Sequence, residues 1–136
     1  MVEKAREGAD IVIAVRKNRP DNTRYRTIVS QCYNRGVHLA FGHRFHDIGS
    51  FKLYRTAVVK QVDAISNSAF LNAERLIKAK RTGYVFDYVE IDDRSRGGGK
   101  ARGASYKWVR RAFEDFTRLI VEIHSGNWKP PPFIPR

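Results

Sequence analysis

Ile11-Val12-Ile13-Ala14-Val15 (IVIAV) is an unbroken apolar run in which four of the five side chains are β-branched. A run of this kind does not alternate, so it reads as a strand covered on both faces, of the sort that normally lies inside a parallel sheet. Such a strand needs neighbours, and that requirement decides the fold class. Upstream, Val2–Ala9 reads as the last turns of a helix. Downstream, RKNRPDN (16–22) is a basic turn with Pro20 as its breaker. The chain offers few further strands. Its beginning therefore reads as the middle of a domain, and its sheet as incomplete.

From Thr23 to about Ala40, Tyr25, Ile28, Val29, Cys32, Tyr33 and Val37 recur at helical spacing, with Gly36 weakening the C-terminal end. FGHRFHDIGS (41–50) is loop-like, FKLYR (51–55) is a short extended segment, and Thr56–Ile65 suits a helix. SNSAF (66–70) offers Ser66, Asn67 or Ser68 as the N-cap of a helix through Lys80, with Phe70, Ala73, Leu76, Ile77 and Lys80 in register. Gly83 stands where a helix-ending glycine belongs. Tyr84–Ile91 alternates, with Tyr84, Phe86 and Tyr88 on one face and Val85, Val89 and Ile91 on the other. It reads as a strand with both faces largely covered. Ala104–Ile123 carries Val109, Phe113, Phe116, Ile120 and Ile123 as a helical stripe, and the tail HSGNWKPPPFIPR (124–136) is extended. Strands alternating with helices make the fold class α/β.

The 136 residues suit one modest domain, and apolar and aromatic shares of 42% and 12% are those of a folded chain. A net charge of +12 points to a polyanionic partner: nucleic acid, an anionic membrane surface or a phosphorylated substrate. Cys32 is the single cysteine, which excludes an internal disulfide and cysteine-rich zinc sites and fits a reducing compartment. No apolar run reaches membrane-spanning length and MVEKAREGAD is not a signal peptide, so the expected location is cytoplasmic, soluble or peripheral to a membrane.

The most chemical segment is DDRSRGGGKAR (92–102), where Arg94, Arg96, Lys100 and Arg102 surround three consecutive glycines. Glycines let backbone N–H groups approach a ligand closely, and the cations suit an anion with several oxygens, such as phosphate. The same composition also describes a solvated, flexible basic loop. His38, His43 and His46 lie close in sequence but lack metal-ligand spacing, and Ser50 has no visible catalytic partners.

Four segments, GADIVIAVRKNR, DIGSFKLYRTAVV, LIKAKRTGYVFDYVEI and RSRGGGK, stand in an order that resembles the C-terminal half of family 2 inverting glycosyltransferases of the polyprenyl-phosphate, dolichol-phosphate mannose synthase-like group. The resemblance runs to about Lys107. It rests on a V-x-x-x-R strand ending at Arg16, a D-x-G-D/S-F-R/K-L segment from Asp47 through Leu53, and an R-x-x-G-x-S/G-K loop at Arg94, Gly97, Gly99 and Lys100. Gly99 stands where the group usually has serine. The group's N-terminal half, with its nucleotide-binding strands and metal-binding D-x-D motif, has no counterpart here. Asp92-Asp93 follows the last strand and does not match that motif.

The resemblance implies a partial GT-A, Rossmann-like sheet with flanking helices. Residues 1–107 would form the C-terminal part of the glycosyltransferase domain, 108–125 an amphipathic helix and 126–136 the Pro-rich tail. It further implies transfer of a sugar from a nucleotide sugar to a polyprenyl phosphate. The acceptor phosphate would be bound by Arg16, Lys52, Arg94, Gly97, Gly99 and Lys100, with Asp47, Ser50 and Arg96 in support. No cofactor is expected in this chain. Mg²⁺ or Mn²⁺ is expected for the complete family enzyme, and a partner subunit carrying the N-terminal half would complete a split enzyme. A phosphate monoester is largely ionised at neutral pH, its second pKa being about 6, so positioning and charge neutralisation matter more than a general base.

The C-terminal helix stripe reads either as core packing or, with Lys107, Arg110 and Arg111 beside Trp108 and Phe113, as a surface for an anionic membrane. A different class of function is also open. A small basic nucleic-acid-binding protein would use Tyr84, Phe86 and Tyr88 as a stacking platform, although no RRM, KH or helix-turn-helix signature occurs. A membrane-associated scaffold without catalytic activity is a third reading.

Overall fold

A computed structural model describes residues 1–17, 24–92 and 106–134. The elements are α1 (Val2–Arg6), β1 (Ile11–Arg16), α2 (Arg24–Phe41), β2 (Lys52–Tyr54), α3 (Thr56–Gln61), α4 (Leu71–Thr82), β3 (Phe86–Ile91) and α5 (Tyr106–His124). The fold is mixed α/β, consistent with a partial Rossmann-like arrangement.

Among the described residues the sheet has the order β2-β1-β3. The IVIAV run is its central strand, and Ile11 to Ala14 are wholly buried. β1 pairs parallel with β3 over its whole length, from Ile11 opposite Phe86 to Arg16 opposite Ile91. On its other edge β1 pairs antiparallel with β2, Ile13 facing Lys52. The β-branched run thus forms a central strand with one parallel and one antiparallel neighbour.

Asp10 secures the start of this sheet. Buried at the entry to β1, it accepts hydrogen bonds from the Val85 N–H (3.0 Å) and from Arg55 (3.2 Å), so one carboxylate ties together the approaches to three strands. A buried carboxylate is tolerated when it is hydrogen-bonded and paired in this way.

Ile11 and Ile13 belong to one buried cluster with Val37 and Phe41 of α2, Val58 of α3, Ala73, Leu76 and Ile77 of α4, and Leu119 of α5. Phe116 sits at the helix junction, edge-on to Phe41 and Phe70, with its ring tip 3.8 Å from the position a Gly36 Cβ would take. A Gly36 side chain would meet that ring, so the glycine that weakens the helix by propensity serves its packing.

Some sequence expectations change. β3 is half-buried rather than covered on both faces, and Val85 just before it is exposed. The α5 stripe is core only in its second half: Val109 and Phe113 face solvent, and Leu119, off the expected stripe, is the fully buried residue. On α4, Lys80 is exposed whereas Glu74 and Lys78 are buried. Ser68 Oγ accepts the Phe70 N–H (3.1 Å) ahead of α4, and Gly83 ends that helix with a φ of 102°.

The Pro-rich tail packs back on the body. Phe133 meets the Tyr84 ring edge-on at 5.2 Å, and Gln61 donates to the Pro132 carbonyl. Trp128 lies under the Lys78 ammonium at 5.9 Å.

Candidate anion-binding site

In open α/β sheets ligands bind outside the carboxyl ends of the strands. Here β1 ends at Arg16 and β3 at Ile91, side by side in register. The Lys17 N–H donates to the Ile91 carbonyl at 3.1 Å, so the two chains leave the sheet together. Ile91, the last residue of β3, therefore stands beside Arg16. Arg94, Arg96, Gly97, Gly99, Lys100 and Asp93 themselves lie outside the described residues.

The DIGSFK segment folds against the same strand end. Asp47 takes a left-handed backbone conformation, φ 50°, and its carbonyl accepts the Ser50 N–H at 3.0 Å. Aspartate tolerates this conformation better than most side chains. The turn feeds Phe51, whose carbonyl accepts the Ala14 N–H (2.9 Å), and so into β2.

Arg16 and Asp47 form a two-point fork. Arg16 Nε donates to Oδ2 and Nη2 to Oδ1, both at 2.8 Å, and the Asp47 side chain is buried. A planar guanidinium matched to both carboxylate oxygens is held in orientation as well as in place. Read separately from the sequence, one as clamp and the other as support, these residues are a single unit in the fold.

Lys52, opposite Ile13 on β2, turns its ammonium back into the same turn and donates to the carbonyls of Ile48 (2.6 Å) and Ser50 (2.8 Å). Burial and, less strongly, the nearby Arg16 push its pKa down against the pull of Asp47, to about 8. Ser50 Oγ is buried and has no hydrogen-bond partner among the described residues. A buried hydroxyl left unpaired is uncommon, and it keeps the capacity for a further hydrogen bond. Arg16, Asp47, Ser50 and Lys52 are thus gathered at one end of the sheet.

Two neighbours were not assigned to this site from sequence, where His46 figured only in the histidine trio with His38 and His43. Lys17 pairs with Glu90 at 2.7 Å across the strand ends, an exposed bridge of small energetic worth. His46 stands edge-on to Tyr88 at 5.0 Å, and Tyr88 shares a row of the sheet with Ile13 and Lys52. Neither has a sequence signal beyond its position next to the motifs. His43 is held below the usual imidazole range by burial, with Arg81 and Lys80 adding to the effect.

Among the described residues no three His, Cys, Asp or Glu side chains come together to hold a metal ion. Asp47 is committed to Arg16. The divalent cation that the resemblance implies finds no fitting ligand set here, and the reading below uses none. No described helix is long and apolar enough to cross a membrane.

No protein-family model matches the chain. The chain is similar to the dodecaprenyl-phosphate galacturonate synthase of Rhizobium johnstonii, 39% identical over 61 residues. That stretch is 44% of this chain and 18% of the relative, so the chain spans less than a fifth of the protein it matches. The similarity supports a relationship to polyprenyl-phosphate glycosyltransferases at a coarse level.

Proposed function

We propose that this chain supplies the acceptor-phosphate side of a glycosyltransferase that moves a sugar from a nucleotide sugar to a polyprenyl phosphate. One observation carries the reading. Arg16 and the Asp47–Lys52 turn converge where β1 and β3 end, in a chain partly similar to a polyprenyl-phosphate sugar synthase.

In the reaction, a phosphate oxygen forms a bond to the anomeric carbon while the bond from that carbon to the nucleoside diphosphate breaks. The acceptor arrives already ionised. The protein's task is therefore to hold the phosphate and offset its charge. Lys52 acts as a point charge fixed by two carbonyls. Asp47 sets the plane of the Arg16 guanidinium, and the Ser50 hydroxyl offers a hydrogen bond. Arg94 and Lys100 complete the clamp with Arg96 in support, and Gly97 and Gly99 are assigned to the same phosphate from the sequence motif. Binding of the nucleotide sugar falls to residues outside this chain, since the sequence contains no D-x-D.

The test is binding of farnesyl phosphate in detergent, followed by phosphorus NMR. Arg94→Ala and Lys100→Ala should each weaken it by about tenfold, as loss of a charge-assisted hydrogen bond does. Unchanged binding in both would overturn the assignment. The chain alone should transfer no sugar to the acceptor, and robust turnover would overturn the division of labour.

A further inference from the structure

The two faces of β1 have different surroundings. Ile11 and Ile13 join the core cluster, whereas Val12, Ala14 and Arg16 alternate with them and point the other way. β2 alternates in the same manner: Lys52 pairs with Ile13 on the core face, and Leu53 pairs with Val12 on the face of Arg16. The ladder runs one residue beyond β2, where the Phe51 carbonyl accepts the Ala14 N–H at 2.9 Å. Phe51 therefore stands opposite Ala14, on the face of Arg16. The same register sets Gly49 opposite Arg16, and a Cβ at Gly49 would lie 3.8 Å from Arg16 Nη2.

Phe51 is thus the diagonal neighbour of Arg16. Residues so placed stand about 7–8 Å apart, within reach of an aromatic ring and a long side chain. The ladder fixes the Phe51 backbone, yet the residue is 76% exposed. Its row, Phe51–Ala14–Val89, crosses the three strands and is apolar throughout. The next row carries Arg16 beside Ile91.

A single apolar residue at a surface is ordinary. This one differs in its neighbours. Ser50, with its unpaired hydroxyl, precedes it, and Lys52, whose ammonium turns to the Ile48 and Ser50 carbonyls, follows it. A ligand that sets an anionic group against Arg16 and Lys52 and carries hydrocarbon attached to that group would lay its first carbons on Phe51. Inorganic phosphate has no such hydrocarbon. A sugar phosphate presents hydroxyls, and Phe51, Ala14 and Val89 offer no side-chain polar atom to pair with them.

We infer that Phe51 selects the acceptor: its ring receives the isoprene unit attached to the phosphate, while Arg16 and Lys52 hold the phosphate itself. The inference rests on the acceptor reading proposed above. It makes Phe51 a specificity-determining residue with no part in the bond-forming step.

The test compares isopentenyl phosphate, which carries one isoprene unit, with methyl phosphate, which carries none. Both are titrated into the full chain in detergent-free buffer and followed by phosphorus NMR. The wild-type chain should bind isopentenyl phosphate about tenfold more tightly, as burial of roughly two CH₂ groups against the ring would give. Phe51→Ser should remove that preference and leave methyl phosphate affinity unchanged, while Phe51→Leu should retain most of it. Far-ultraviolet circular dichroism checks that both variants remain folded. A wild-type chain without the preference, a preference that survives Phe51→Ser, or a loss of both affinities together in that variant would overturn the inference. Failure of the acceptor reading has a different signature: Arg94→Ala and Lys100→Ala would leave both phosphates bound as before, and the inference would fall with it.

Discussion

Glu74 is fully buried on α4 and collects donors from three directions. It accepts the Ile65 and Ser66 N–H groups (3.3 and 3.0 Å) and the Ser66 hydroxyl, and it pairs with Lys78 at 2.8 Å and Arg118 at 3.0 Å. Glu74→Gln preserves the shape but removes the charge and turns an amide NH₂ toward donors. Lys78, whose side chain is 4% exposed, would keep Glu122 at 3.4 Å as its remaining carboxylate. Breaking one partner of a buried pair costs about 3–5 kcal/mol. A second route agrees: burial pushes the Glu74 carboxyl up, but Lys78 and Ser66 outweigh it and hold the group down to about 2 against an ordinary 4.5. At roughly 1.4 kcal/mol per pH unit, that is worth about 3 kcal/mol. For a domain of this size the melting temperature should fall by roughly 10–20 °C.

The sign with pH follows from the lowered pKa. The contribution is complete above pH 4.5 and is lost as pH falls toward 2, so the wild-type chain should weaken steeply across that window and Glu74→Gln should not. Urea unfolding followed by circular dichroism at pH 7, 4.5 and 3 measures both effects. A loss under about 1 kcal/mol at pH 7, or identical pH slopes, would refute the reasoning.

At the anion site, Lys52 loses its proton as pH rises through about 8, whereas a phosphate monoester keeps its charge above its second pKa of about 6. Farnesyl phosphate affinity should therefore fall between pH 7 and 9, and Lys52→Arg should flatten that profile; a wild-type profile that stays flat contradicts the lysine's assigned part. On α5, Leu119→Ala should cost about 2–5 kcal/mol in denaturant unfolding, because its side chain is fully buried, while Phe113→Ala should cost under about 0.5 kcal/mol. The reverse order would restore the stripe read from sequence.

Much of the fold was legible because its signals are local. The IVIAV run, the alternation before the glycine loop, and Gly83 at the end of α4 each declare themselves within a few residues. What escaped depends on distant partners. Glu74 and Lys78 sit four apart, a spacing that reads as an ordinary surface pair. Their burial follows from Arg118 and Glu122, more than forty residues away. The exposed half of the α5 stripe escaped for a related reason: apolar periodicity marks the face a helix offers, not how far its partner extends along it. At the candidate site the motif order named Arg16, Asp47, Ser50 and Lys52, but no spacing shows that an arginine and an aspartate 31 positions apart interlock.

The pairing pattern also locates the surplus charge of +12. The carboxylates at the heart of the structure are spent on named partners: Asp10 on Arg55, Asp47 on Arg16, and Glu74, Asp115 and Glu122 on Lys78 and Arg118. Part of the excess lies where acidic residues are missing: residues 24–36 carry three Arg and residues 106–113 one Lys and two Arg with no Asp or Glu, and four more cations stand between Arg94 and Arg102. Arg24, Arg35, Lys107, Arg110 and Arg111 are exposed, and exposed charges are screened over about 8 Å at physiological salt, whereas the buried pairs are screened far less. Salt separates the two systems. Raising ionic strength should weaken farnesyl phosphate binding while leaving unfolding almost unchanged. If salt instead lowered stability and phosphate binding together, the exposed cations would be holding the fold rather than meeting an anionic ligand.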